Sequence, residues 1–140
     1  MRNILLTIVS RQYLQDQPPE ETSFVTQGTL CLHEDAIEIT YPETELTGLA
    51  GTMTAFRVEK DRVLLKRSGA VESKMVFAVG REDRSLYDMG FGALMITVCT
   101  ERISSTLDEN GGNLFVAYAI TIEDEATGRI EYSIDVRLID

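Results

Sequence analysis

The chain has 140 residues, 44% apolar and 26% charged. That is enough to bury roughly 65–70% of the unfolded surface in a single domain, residues 1–140. Asp and Glu number 23 against 13 Lys and Arg, a net charge of −10. The acidity excludes the basic footprint that nucleic acid requires, and it excludes adsorption to anionic membrane surfaces. Two cysteines, Cys31 and Cys99, lie far apart in strand-like segments. They imply no disulfide framework and are expected as buried, reduced thiols.

The first segment, residues 3–13, places Ile4, Leu6 and Ile8 on one face and Leu5, Thr7 and Val9 on the other. Its apolar part is short, contains Thr7 and runs into Arg11-Gln12 with no small-residue cleavage site, so it reads as a strand and not a signal peptide. No apolar run approaches the ~20 residues of a membrane span. The expected location is the cytoplasm. Pro18-Pro19 then breaks the ladder, and residues 22–32 alternate Phe24, Thr26, Gly28 and Leu30, with Gly28 marking a bend or bulge. His33-Glu34-Asp35 turns the chain into Ile37, Ile39 and Tyr41, which are in phase, and Pro42 ends that strand.

Residues 43–52 carry Gly48 and Gly51 and suggest a sharp corner before a strand at 53–59. Lys60-Asp61 turns the chain into 62–68, where Val63, Leu65 and Arg67 share a face. Gly69 leads into 71–79, with Met75, Phe77 and Val79 in phase. Residues 80–84 are polar, and 85–92 read as irregular. In the last third, Leu94, Ile96 and Val98 share a face with Thr100 and Arg102. Leu114, Val116, Tyr118, Ile120 and Ile122 form a second such series, and Ile130, Tyr132, Ile134, Val136 and Leu138 a third. Asp108-Glu109-Asn110-Gly111-Gly112 and Asp124-Glu125-Ala126-Thr127-Gly128 are the intervening turns, rich in residues that tolerate φ > 0.

No window keeps a helical period. About eight to ten strands follow one another with short turns and no crossover helix, which means an all-β antiparallel domain. Such a sheet must either stack as a sandwich or close as a barrel. Turns this short favour a closed up-and-down barrel.

Chemistry-bearing patterns are few. His33 is the only histidine, which excludes a histidine metal cluster and leaves a solvated turn residue. The Asp108 turn fails the calcium-loop pattern, since Gly112 and Ala119 stand where oxygen ligands belong. Gly90-Phe91-Gly92 lacks both the third glycine and the helix of a dinucleotide site. No metal, cofactor or catalytic constellation is recognisable. What stands out are polar groups in phase with a core: Arg67, Arg102, Thr100 and Tyr118. A guanidinium in an apolar interior requires a carboxylate partner, and Glu43, Glu45 and Asp88 lie in the segments best placed to reach a barrel mouth. A small apolar or amphipathic ligand, of anionic character if these arginines hold it, would meet Arg67, Arg102, Tyr118, Tyr87, Glu45 and Thr100.

Three stretches together resemble the YwiB-like family of small bacterial proteins of unknown function. They are Glu43-Thr44-Glu45-Leu46-Thr47-Gly48-Leu49-Ala50-Gly51-Thr52, then Arg67-Ser68-Gly69 with Met75-Val76-Phe77, then Ser85-Leu86-Tyr87-Asp88 with Asp108-Glu109-Asn110-Gly111-Gly112. One departure is Met89-Gly90-Phe91-Gly92, where relatives tend to carry a Thr-Pro pair. The resemblance implies a bacterial protein with a lipocalin-like, or calycin, barrel, and it supplies no activity. Two roles fit such a domain. One is a non-catalytic binder of a small ligand. The other is an interaction module with a filled barrel, possible as a homodimer through the off-phase set Val9, Val25, Met53, Ala55, Val76, Met95, Phe115 and Ala117.

Overall fold

Side chains at alternate positions of a strand leave on opposite faces, so each apolar-alternating segment offers one adhesive face. The computed structural model describes residues 1–139. Its strands are β1 (Arg2–Leu14), β2 (Glu20–Leu32), β3 (Ala36–Pro42), β4 (Thr52–Glu59), β5 (Val63–Gly69), β6 (Ser73–Phe77), β7 (Glu82–Asp88), β8 (Ala93–Ser105), β9 (Gly111–Ile122) and β10 (Glu125–Leu138). A 3-10 turn at Glu45–Thr47 is the one helical element among the described residues. All ten strands form one antiparallel sheet in the order β6-β5-β4-β3-β2-β1-β10-β9-β8-β7. The last strand meets the first over a long register, from Ile4 opposite Leu138 to Leu14 opposite Gly128.

The sheet curls into a nearly closed barrel, and its seam lies between β6 and β7. There Glu72 and Asp88 exchange both backbone hydrogen bonds at 2.8 Å. Further along, the Val76 N–H donates to Asp83 Oδ2 at 3.0 Å. A carboxylate thus stands in for the missing neighbour of an edge amide, a device that also discourages pairing with another chain. Replacing Asp83 with alanine is expected to cost about 1 kcal/mol and to speed hydrogen exchange at the Val76 amide. Unchanged exchange at that amide would mean that the seam is held by something else.

The inner face carries the core. Ile4, Leu6 and Ile8 of β1, Phe56 of β4, Leu65 of β5 and Phe77 of β6 are almost wholly buried. Rings pack edge-on or tilted, with Phe56 6.0 Å from Tyr132 and Phe77 4.7 Å from Tyr118 between centroids, separations at which aromatic pairs attract beyond their buried area.

Four expectations need correction. Of residues 85–92, read as irregular, 85–88 belong to the regular strand β7 (Glu82–Asp88). Its inward positions are Asp83, Ser85 and Tyr87, while Leu86 points out, so the strand's hydrophobic alternation is inverted and hidden. The turn before β10 is the pair Glu123-Asp124, with φ of 51° and 65°, so residues 125–128 already belong to the strand. Two successive positive φ values give a turn whose twist matches the hairpin it joins. Cys31 and Cys99 are only half-buried, because each lies between inward-facing neighbours and so points outward.

The fourth concerns Arg102. A bulge shifts the β8–β9 register between Thr100, opposite Tyr118, and Arg102, opposite Ala117. The backbone of Thr100 is engaged by the β6–β7 connection, accepting from Gly80 N–H and donating to the Arg81 carbonyl. The extra residue flips the phase beyond it. Arg102 therefore lies on the outer wall, its guanidinium 5.5 Å from the centre of the Phe115 ring. Of the outward apolar set, Val25 and Met53 are exposed, while Ala117 is buried.

Candidate functional site

The two ends of the barrel differ. At the end formed by the β8–β9 hairpin, Val63, Phe77, Val98 and Val116 fill the interior. At the opposite end the strands diverge around a cavity of about 400 Å3, open on one side. Ile8, Leu94, Ile96, Ile120, Ile122 and Ile130 make an aliphatic wall along β1 and β8–β10. Facing them, Tyr41, Glu43, Arg67, Tyr87 and Tyr132 make a polar one, with Tyr118 at the floor. Leu46, in the 3-10 turn, and Leu49, just after it, overhang the opening.

Arg67 follows Val63 and Leu65 by strict alternation and so must enter the interior. Its guanidinium is 7% exposed and pairs with the equally buried Glu43, with Nε 3.9 Å from Oε2. Glu43 is anchored separately. Thr54 Oγ1 donates to Oε2 at 2.7 Å, and Thr47 Oγ1 donates to Oε1 at 3.1 Å. The Thr47 bond ties the residues overhanging the mouth to the polar wall.

Arg67 is less well served. One of its terminal nitrogens donates to the Tyr132 hydroxyl at 3.4 Å, and Nε has no hydrogen-bond partner. Thr54 and Ser73 are its cross-strand neighbours on β4 and β6. Ser73 Oγ and Thr52 Oγ1, buried on the same inner face, also lack partners. Buried polar atoms without partners are costly, and three of the four among the described residues lie on β4–β6, the fourth being Thr100 Oγ1 on β8.

Electrostatics sharpen the polar wall. Burial alone would lower the proton affinity of Arg67, but the hydroxyl of Tyr132, then Tyr87 and Tyr41, outweigh it, so the group stays protonated beyond the ordinary arginine range. Burial pushes the Tyr41 phenol well above its usual range, and the Glu43 carboxylate adds to the rise. Tyr118 rises too, from burial first and then from Tyr132, 6.5 Å away and stacked. Tyr41 and Tyr118 are thus neutral hydrogen-bonding groups, and the charged side chains of the lining are one arginine and one glutamate.

Of the residues expected at a ligand site, the cavity brings together Arg67, Tyr87 and Tyr118. Arg102 is on the outer wall. Thr100 is buried beside Tyr118 but lies outside the cavity lining. Glu45 is exposed in the 3-10 turn, and Asp88 spends its side chain on the Gly90 N–H at 2.8 Å. Glu43 is the carboxylate that reaches Arg67. Tyr41 and Tyr132 were visible as in-phase aromatics within apolar series, the same signal that singled out Tyr118.

His33 sits in an exposed turn, 3.9 Å from Glu38. Among the described residues no group of three or more His, Cys, Asp or Glu side chains converges as a metal site. A larger hollow of about 870 Å3 lies at the other end, around the β4–β5 turn. In its lining Glu59 pairs with Arg62, and Glu59 also reaches Arg57 outside it.

Relatives share this architecture. The uncharacterized β-barrel protein YwiB of Bacillus subtilis (strain 168) is 30% identical over 121 residues, 86% of this chain and 84% of its own length. The crystal structure of the ywiB protein from Bacillus subtilis superposes with a TM-score of 0.82 at 26% identity, covering 96% of this chain and 91% of that one. Residues 6–134 match the family described as "Domain of unknown function (DUF1934)", and with that match over most of its length the chain belongs to this family of YwiB-like barrels.

Proposed function

We propose that the barrel binds a small amphipathic anion non-catalytically, with the acidic head on Arg67 and the apolar body against the aliphatic wall. The carrying observation is the buried Arg67 Nε, unpartnered beside an open cavity of about 400 Å3. That volume is within the range of sites for small organic molecules. The chemistry is divided as such a ligand needs, with isoleucines on one side and a guanidinium with phenol and threonine hydroxyls on the other. A planar guanidinium whose Nε–H has no hydrogen-bond acceptor suits a carboxylate or sulfonate. The unfilled interior favours this role over an interaction module packed solid with side chains.

Two naphthalene probes test it, anilinonaphthalene sulfonate and its uncharged analogue N-phenylnaphthylamine. Each is titrated by fluorescence, at mildly acid pH, into the wild-type protein and the Glu43→Gln/Arg67→Met double variant. The double variant keeps the cavity shape without either charge. The sulfonate is expected to lose about tenfold in affinity in the variant, the worth of one charge-assisted hydrogen bond, while the neutral probe binds both proteins alike. Equal sulfonate affinities in the two proteins would overturn the proposal, as would no binding of either probe to the wild type.

A further inference from the structure

Building on Arg67 as the seat of the anionic head, we propose that the cavity takes up one proton with each anion it binds, and that Glu43 is the group that receives it. At rest the cavity holds one positive and one negative side chain among the described residues lining it, Arg67 and Glu43. An added anion would leave an excess negative charge in a largely buried site, within a protein already carrying −10. Geometry makes this acute. Glu43 Oε2 is 3.9 Å from Arg67 Nε, so any head group bonded to that nitrogen lies close to the glutamate. Two acidic groups sharing one such site do not both stay ionised.

The groups around Glu43 leave it as the acceptor. Arg67 faces it from β5 and does not titrate in the working range. Tyr41 on β3 is a phenol whose proton burial holds in place, while Tyr132 on β10 and Tyr87 on β7 turn their hydroxyls toward Arg67. Thr54 on β4 and Thr47 beside the mouth are hydroxyls. The next acid, Glu45, is exposed. Both hydrogen-bond partners of Glu43 are therefore amphoteric. A threonine hydroxyl that donates to a carboxylate can rotate and accept from the carboxylic acid. Protonation at Glu43 thus sacrifices no hydrogen bond, as it would if backbone amides held the group.

Linkage fixes the sign. The bound form carries more protons than the free form, so affinity for the anion falls as pH rises, by up to about tenfold per pH unit for one proton. Affinity for a neutral ligand does not change.

Isothermal titration of the wild-type protein with anilinonaphthalene sulfonate, at mildly alkaline pH and in buffers of differing ionisation enthalpy, measures the uptake directly. A sulfonate remains ionised throughout, so any proton taken up goes to the protein. The expected result is about one proton per sulfonate bound and none per N-phenylnaphthylamine, linkage being set by the difference in bound protons. In Glu43→Gln the uptake should vanish and the sulfonate should bind more tightly at alkaline pH. Should that variant not fold, the two-probe comparison in the wild type decides alone. Sulfonate binding without proton uptake would overturn this inference and leave the anion-binding function standing, as would uptake that persists in Glu43→Gln. Absence of sulfonate binding would instead remove the function itself.

Discussion

Replacing Arg67 with methionine is expected to destabilise the fold by about 3 kcal/mol, and adding Glu43→Gln to that variant is expected to restore most of the loss. Methionine matches the unbranched stem of arginine and fills similar space, so packing changes little. What changes is charge. Glu43, buried and fixed by Thr54 at 2.7 Å, loses the cation 3.9 Å away. An uncompensated buried carboxylate costs several kcal/mol, whereas replacing both members of a buried pair is often nearly neutral. The open mouth admits water and holds the penalty to the lower part of the usual range. Glu43→Gln alone should also destabilise, by leaving the guanidinium unpaired.

Urea midpoints of the four proteins in this cycle give the coupling energy. A double variant no more stable than Arg67→Met would show that the pair does not act as a unit. It would also remove the reason for treating Glu43 and Arg67 as one charge-balanced site. The contrast matters for function, because a buried pair that the fold does not require is free to be remodelled by a ligand.

The barrel was legible in the alternation itself. Ile4, Leu6 and Ile8 of β1, Ile39 and Tyr41 of β3, and Val63, Leu65 and Arg67 of β5 face inward as the period-2 pattern demands. The inward direction of Arg67 followed from two apolar neighbours at matching positions. Arg102 offered the same sequence signal, after Val98 and Thr100, and yet points outward. The reason is non-local. The bulge at Glu101 falls where the backbone of Thr100 is engaged by Gly80 and Arg81, a contact no window around Arg102 can show.

β7 was hidden for a related reason. It lines the seam, where Asp83 is needed to satisfy Val76, so its inward face is polar and its apolar Leu86 points out. The choice among Glu43, Glu45 and Asp88 also lay beyond the pattern. All three fall near the mouth, but the first lies just past the end of β3 in phase with Tyr41, while the second is carried outward by the 3-10 turn. Asp88 ends β7 and is drawn into its turn. Phase continued past the end of a strand would have selected Glu43, and Tyr132, in phase between Ile130 and Ile134 of β10, would have completed the polar wall.

Gly28→Ala is expected to cost roughly 3 kcal/mol or more. An alanine is usually preferred to glycine in a strand interior, because glycine gives up more conformational freedom on folding. Here space reverses that preference. A methyl group built on Gly28 lies 2.3 Å from the Thr40 carbonyl oxygen, 2.9 Å from Leu6 Cδ1 and 3.1 Å from Tyr41 Cβ. Thr40 O is backbone in β3 and cannot rotate away, so the strands must part.

The position explains the crowding. Gly28 sits opposite Ile4 of β1, and the β2–β3 ladder begins at the next residue, Thr29 opposite Thr40. Short of it β2 runs without β3; beyond it the two strands are laddered. Gly92→Ala serves as the control, since a methyl group there meets nothing within 4 Å, and it should change stability by no more than about 0.5 kcal/mol. Because Tyr41, a cavity wall residue, is among the displaced neighbours, any folded Gly28→Ala protein should also bind N-phenylnaphthylamine more weakly than the wild type. Thermal midpoints measured side by side decide the matter. A Gly28→Ala midpoint level with that of Gly92→Ala would mean that β2 and β3 pass with more clearance than the 2.3 Å approach at Thr40 allows.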